Sequence, residues 1–210
     1  MEFEQLDLDC DVKYYKNFLS EGQADDLFDY IFDNFDLTRK RVKTINEDGD
    51  NVEYKLNRGT CMFLDEELKD SDIIPNIWGS DIEKNVWSGL VKDVKEKIES
   101  VTDKKYNICL CNYYATGKRS IGFHSDQEEY GSVSCIASIS LGEERDFIFR
   151  KKDNHNDKKS VLLKHGSLLI MGENCQERYE HSVPANKKYK NPRINLTFRL
   201  FSDDRYTKIY

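Results

Sequence analysis

Between residues 105 and 201 short apolar runs alternate with turn-forming residues, at 106–114, 133–141, 146–150, 160–164, 167–172, 178–182 and 193–201. Each run has strand length, and no helical stretch separates one from the next, which argues against a parallel α/β sheet. Seven or so short strands in succession imply a sandwich or barrel, and an antiparallel jelly roll fits the pattern best.

The first half supplies cover for that sheet. Ser20 and Gln23 form a capping-box pair, and Leu27, Phe28, Ile31, Phe32 and Phe35 recur at helical spacing, so residues 21–35 are expected to form an amphipathic helix. A second helix is expected to begin near Ser80 or Asp81, because Ile82, Val86, Leu90, Val94 and Ile98, flanked by Trp87, Val91 and Val101, make one apolar stripe. Residues 39–56 resemble a hairpin around Asp48-Gly49, a pair that suits a type I′ turn. No Pro/Gly/Ser-rich linker interrupts the 210 residues, so residues 1–210 read as one α+β, mostly β domain. Residues 1–104 would carry the helices packed on the sheet, and residues 105–201 the jelly-roll core.

The amino terminus, Met1-Glu2-Phe3-Glu4, mixes acids with apolar residues and suits neither a secretion signal nor a membrane span. A soluble protein of the cytoplasm or nucleus is expected. Six cysteines, at 10, 61, 109, 111, 135 and 175, lie scattered in apolar segments and should stay reduced there. Cys109 and Cys111 share one face of an expected strand rather than forming a C-x-x-C knuckle, which argues against zinc. The net charge of −7 divides into −12 over residues 1–102 (13 basic, 25 acidic) and +5 over residues 103–210 (19 basic, 14 acidic). A phosphate-gripping surface therefore belongs to the second half, where Arg150-Lys151-Lys152, Lys158-Lys159 and Lys187-Lys188 cluster, although solvated loops give the same pattern.

His124-Ser125-Asp126 sets an imidazole and a carboxylate two residues apart, on one face if the segment is extended. With His181 as a third ligand these make a facial triad that leaves coordination positions open, the arrangement of non-haem iron(II) oxygenases. Asp126 is expected at the rim of the fold, where its loss would leave the core nearly intact. His155, in a polar run, and His165, before the Gly166-Ser167 turn, read as structural or solvated. In the final run, alternation puts Arg193, Asn195, Thr197 and Arg199 on one face and the apolar residues opposite. That polar face is either wet or built for an anion, and 2-oxoglutarate offers a carboxylate at each end for forked hydrogen bonds. Asn112 and Tyr114 share a strand face shortly before His124 and suit the same ligand, or else the core.

Taken in order, Asn112-Tyr113-Tyr114, His124-Ser125-Asp126, Ile139-Ser140-Leu141-Gly142, Arg145-Asp146-Phe147, His165-Gly166-Ser167-Leu168-Leu169, His181-Ser182-Val183-Pro184 and Pro192-Arg193-Ile194-Asn195-Leu196-Thr197-Phe198-Arg199 resemble the AlkB family of iron(II)- and 2-oxoglutarate-dependent dioxygenases. The resemblance covers residues 106–201 and is closest to the nucleic-acid-repair branch. It rests more on the Arg-x-Asn-x-Thr-x-Arg strand than on the triad. It implies a double-stranded β-helix with iron at its mouth, preceded by helices and a substrate lid. It implies that His124, Asp126 and His181 bind iron(II), and that Asn112, Tyr114, Arg193, Asn195 and Arg199, with Thr197 nearby, bind 2-oxoglutarate. Arg193 would hold the far carboxylate and Arg199 the keto-acid end, or the reverse.

The implied reaction consumes O2 and 2-oxoglutarate, releases succinate and carbon dioxide, and hydroxylates an N-methyl group on 1-methyladenine- or 3-methylcytosine-type bases of DNA or RNA, which then shed formaldehyde. A base inside a duplex must be flipped out first. By the same analogy Glu128 would read an exocyclic amine, Arg145 would line the pocket, and Gln127 would lie between them and the metal. Arg58 would belong to a lid, and Phe63 or Trp78 would stack on the base, core packing being the competing reading for both aromatics. The hairpin tip Asn46-Glu47-Asp48-Gly49-Asp50 departs from a duplex-entering finger, which should be apolar or basic, so a weaker grip on duplex than on single-stranded DNA or RNA is expected. A monomer is expected as well. Two alternatives stand beside this one: an oxygenase acting on protein, transfer RNA or a small molecule, and a silent jelly-roll binding module. The second should have lost a ligand or an arginine, and none is missing.

Overall fold

A computed structural model of the chain describes residues 1–45, 50–74, 81–128 and 131–202. The strands run in chain order as β1 (Glu4–Gln5), β2 (Val12–Tyr15), β3 (Arg41–Ile45), β4 (Asn51–Lys55), β5 (Gly59–Leu64), β6 (Lys84–Val86), β7 (Ile108–Tyr114), β8 (Ile121–His124), β9 (Ile136–Gly142), β10 (Arg145–Lys151), β11 (Lys158–Leu163), β12 (Ser167–Met171), β13 (Tyr179–Val183) and β14 (Arg193–Arg199). Among the helices are α1 (Glu21–Asn34), α2 (Gly89–Thr102) and the single turn α3 (Cys175–Arg178). The larger sheet has the order β1-β2-β12-β9-β14-β7-β5-β6, the smaller β11-β10-β13-β8, and β3-β4 form a separate ribbon. Each of the seven apolar runs holds a strand, and the two facing sheets are the jelly roll that their spacing predicts.

The elements form where local chemistry directs them, with one exception. Ser20 caps α1 as a full capping box, its hydroxyl accepting from Gln23 N at 3.3 Å and its own N donating to Gln23 Oε1 at 3.1 Å. The second helix starts at Gly89, not near residue 80. Residues 84–86 are instead extended and pair in parallel with β5, Met62 opposite Lys84. Ile82 and Val86 share the helical period by coincidence, and the stripe breaks at Gly89, whose φ of +49° and closeness to Tyr30 suit glycine. The hairpin of residues 39–56 forms, with Arg41 opposite Lys55 and Ile45 opposite Asn51. Its tip at 46–49, including Asp48-Gly49, lies outside the described residues, as does Trp78.

Two apolar layers hold the sheets. Leu27 and Ile31 of α1 and Val91, Val94 and Ile98 of α2 cover the outer face of the larger sheet, meeting Cys109, Cys111, Ile139, Ile194, Leu196 and Phe198. Between the sheets, Val12, Leu169 and Met171 meet Phe147, Phe149, Val161, Leu163 and Tyr179. This second layer fills only part of the gap, and the remainder is a cavity lined by both polar and apolar side chains. No described helix is long and apolar enough to cross a membrane.

Candidate metal and cosubstrate site

Strand β14 forms the floor. Ile194, Leu196 and Phe198 turn toward the helices, while Arg193, Asn195, Thr197 and Arg199 turn into the space between the sheets, where all four are buried. On one side β14 places Arg193 beside Tyr114 and Asn195 beside Asn112; on the other Asn195 meets Ser140 and Thr197 meets Ser138. Arg193 Nη2 donates to Ser140 Oγ at 2.9 Å, Asn195 Nδ2 to Ser138 Oγ at 2.7 Å, and Thr197 Oγ1 to Asn195 Oδ1 at 3.0 Å. Arg193 Nε and Nη1 and Arg199 Nη1 have no partner among the described residues. Burial pulls the Arg193 pKa down to about 10, partly offset by Tyr114. A buried guanidinium with unmet donors is unfavourable unless an anion meets it, so the floor fits a carboxylate ligand.

The smaller sheet carries the imidazoles. β8 and β13 pair with His124 directly opposite His181, their ring centroids 4.4 Å apart. Asp126 follows two residues after β8 ends. Its Oδ1 lies 3.9 Å from His124 Nε2 and its Oδ2 lies 3.6 Å from His181 Nε2. One ligand atom from each residue falls within 4.8 Å of the others. His124 Nδ1 sits 2.9 Å from Gly122 O, which favours a proton on Nδ1 and frees Nε2 as a ligand. Phe147 stacks on the His181 ring at 5.2 Å.

Charge completes the arrangement. Burial drives the His181 pKa down to about 4 against the pull of Asp126, so this imidazole is neutral at neutral pH. Burial would raise the Asp126 pKa, but Arg199 above all, with His181 and His124, overrides it and holds the carboxyl at about 2. Arg199 Nη2 lies 2.5 Å from Asp126 Oδ1. Imidazole nitrogens and one carboxylate converging without a fourth ligand among the described residues fit a two-histidine, one-carboxylate iron(II) site. The Asp126 loop is clamped twice: Asp126 N donates to Gln176 Oε1 and Ser125 Oγ to Tyr179 O, each at 2.9 Å.

Triad and floor line one cavity of about 370 Å³, with Tyr54, Leu56, Arg58 and Gln127 among its other lining residues. Arg58 Nε donates to Asn112 Oδ1 at 2.5 Å. Three expectations need correcting. Glu128 is absent from the lining, and its carboxylate accepts from Val133 N at 3.1 Å. Arg145 does not line the cavity either; it lies buried over the rings of Tyr114 and Tyr189, its Nη2 donating to Pro184 O at 2.8 Å. Phe63 faces the helices, because alternation along β5 gives the cavity Thr60 instead, and it packs against Phe35 at 4.8 Å and Trp87 at 6.4 Å. Phe63→Ala is accordingly expected to lower stability by about 3–5 kcal/mol in a urea melt. Affinity for ligands of the cavity should stay unchanged in the folded protein; a selective loss of that affinity would return Phe63 to the lining.

Sequence reasoning missed Ser138, Ser140 and Gln176 as parts of the site. The two serines alternate with the apolar residues Ala137, Ile139 and Leu141 along β9, so periodicity was the available signal. Gln176 carries no such signal, because it acts from a single helical turn across the fold.

The family model described as the 2OG-Fe(II) oxygenase superfamily matches residues 11–199. The chain belongs to that family. Among curated proteins, this oxygenase is 40% identical over 121 residues to DNA oxidative demethylase ALKBH2 of Bos taurus, covering 54% of this chain and 44% of that protein. It is 36% identical over 127 residues to alpha-ketoglutarate-dependent dioxygenase alkB homolog 3 of Homo sapiens, covering 56% and 44%. To the ALKBH2 demethylase of Arabidopsis thaliana it is 29% identical over 219 residues, covering 90% and 66%. These likenesses are to proteins named for the AlkB group, and the match spans less than half the length of the cattle and human relatives. The solved structure of OsALKBH1 superposes with a TM-score of 0.61 at 19% identity, covering 95% of this chain and 100% of the other. A prolyl hydroxylase from Trichoplax adhaerens gives 0.60 at 10% identity, covering 95% and 87%. At those identities the likeness is one of fold alone.

Proposed function

We propose that this oxygenase removes methyl groups from N-alkylated bases of the 1-methyladenine and 3-methylcytosine type in DNA or RNA, using iron(II), 2-oxoglutarate and O2. The observation that carries the reading is one cavity that joins the His124, Asp126 and His181 cluster to the unmet donors of Arg193 and Arg199. Relatives named as DNA oxidative demethylases support the choice of substrate.

His124, Asp126 and His181 would hold the metal. Arg193, backed by Ser140 and Tyr114, would take the distal carboxylate of 2-oxoglutarate, and Arg199, beside Asp126, its keto-acid end. Asn112, Asn195 and Thr197 would complete the polar floor. When bound, iron(II) and 2-oxoglutarate supply the oxidation that converts O2 and cosubstrate to succinate and carbon dioxide and places a hydroxyl on the N-methyl carbon. The protein's own tasks are to fix geometry, exclude water and present the methyl group. Tyr54, Arg58 and Gln127, which line the same cavity, would meet the base. The hydroxymethyl product then breaks its C–N bond to give formaldehyde and the unmethylated base.

We further read the enzyme as an intracellular monomer, a setting in which six free cysteines stay reduced. Asp50 and the acidic residues before it favour single strands over duplex by repelling phosphates. Incubation with iron(II), 2-oxoglutarate and a panel of methylated oligonucleotides should release formaldehyde, with single strands turned over about fivefold faster or more, a difference of roughly 1 kcal/mol. Succinate formed only with peptides or small molecules would move the substrate to another class, and equal turnover of a methylated duplex at matched salt would remove the strand preference.

A further inference from the structure

Outside the cavity, two thiols meet where the amino-terminal segment crosses the turn before β13. The β2–β12 ladder ends with Val12 opposite Met171, and Gly172 N donates to Asp11 O at 2.7 Å. This brings Cys10 to the same apolar cluster as Cys175, whose N donates back to Gly172 O at 3.4 Å. Cys10 is partly exposed and Cys175 is buried. Cys61, Cys109 and Cys111 are sealed in the core. The neighbouring Cys175 thiol, with Arg178 nearby, holds the Cys10 thiol below its ordinary range despite burial, whereas Cys10 and burial push the Cys175 thiol up. A partly exposed thiol beside a cation is the environment in which a cysteine becomes reactive.

The next residue after Cys175 is Gln176, whose side chain is buried and accepts from Asp126 N at 2.9 Å. Lys152 Nζ also donates to Gln176 O at 2.8 Å. Cys175 and the clamp on a candidate metal ligand are therefore adjacent on one helical turn, with Cys10 on the amino-terminal segment that crosses it.

We propose that Cys10 and Cys175 are a redox modification site, closing to a disulfide under peroxide and thereby displacing Gln176 from the Asp126 loop. The chemistry balances in two steps. The Cys10 sulfur takes one oxygen from the peroxide and becomes a sulfenic acid, and the other peroxide oxygen leaves as water or an alcohol. The Cys175 sulfur then attacks that sulfur, the S–S bond forms, and the hydroxyl departs with the thiol proton as water. A disulfide sets its sulfurs about 2.05 Å apart, inside thiol contact, so closure draws α3 toward Cys10. Loss of a partner that positions a metal ligand weakens metal binding by about 10–100-fold. The disulfide does not depend on the proposed function; its effect on metal rests on that reading.

The test uses the full chain, reduced and metal-free, with and without hydrogen peroxide, followed by non-reducing peptide mapping and titration with Mn(II) as a redox-inert probe. The expected result is a Cys10–Cys175 cross-linked peptide pair and an Mn(II) Kd raised about tenfold or more, reversed by dithiothreitol. Cys10→Ser should bind Mn(II) like the reduced parent and ignore the oxidant. Absence of the cross-link overturns the site, and a cross-link with unchanged Mn(II) affinity overturns its coupling to the metal loop. A reduced chain that fails to bind Mn(II) overturns the metal reading and the coupling together, while the mapping still decides the disulfide.

Discussion

Asp126→Ala is expected to cut metal-dependent formation of succinate by about a thousandfold or more, equivalent to roughly 4 kcal/mol of transition-state stabilisation. The variant would remove the carboxylate facing both imidazoles and the charge that meets Arg199. The second loss revises the expectation that this ligand could go with little damage to the fold. Asp126 is largely buried rather than at a wet rim, and taking one partner from a buried ion pair destabilises by about 3–5 kcal/mol. A urea melt beside the succinate assay separates the two effects. Succinate formation surviving in the folded variant would remove Asp126 from the metal site.

Arg193→Met is expected to weaken 2-oxoglutarate binding about a hundredfold or more, because two charge-assisted hydrogen bonds at about 1.5–3 kcal/mol each are lost. Its effect on the ligand-free protein should have the opposite sign. Arg193 leaves Nε and Nη1 unmet in a buried position, so an apolar side chain of similar length should raise stability by about 1–3 kcal/mol. Calorimetric titration with 2-oxoglutarate and a thermal melt on the same sample test both halves. An unchanged cosubstrate affinity would place this arginine outside the ligand's reach.

Much of this architecture was legible because period-two alternation is strong where a strand has two different faces. β14 is the clearest instance, with three apolar residues facing helices and four polar ones facing the cavity. β5 was not legible: Gly59–Leu64 is buried throughout, so its sequence shows no alternation to read. β8 is short, contains Gly122 and gains its place only by pairing with β13. The helical stripe before Gly89 misled because Ile82 and Val86 satisfy a 3.6-residue period while the backbone pairs with β5. Within the site, spacing marked the triad and floor residues as candidates that the fold brings to one cavity, whereas Phe63, Arg145 and Glu128 depended on analogy and lie outside its lining. Gln176 shows the limit of local reading, since its partner is fifty positions away.

Among the described residues the β3–β4 ribbon shares no ladder with either large sheet. Its outer contacts are thus free to drift without disturbing β14, which is wedged between two neighbouring strands and backed by helices. A scaffold divided in this way can acquire new preferences at its entrance while its oxidising chemistry stays unaltered beneath.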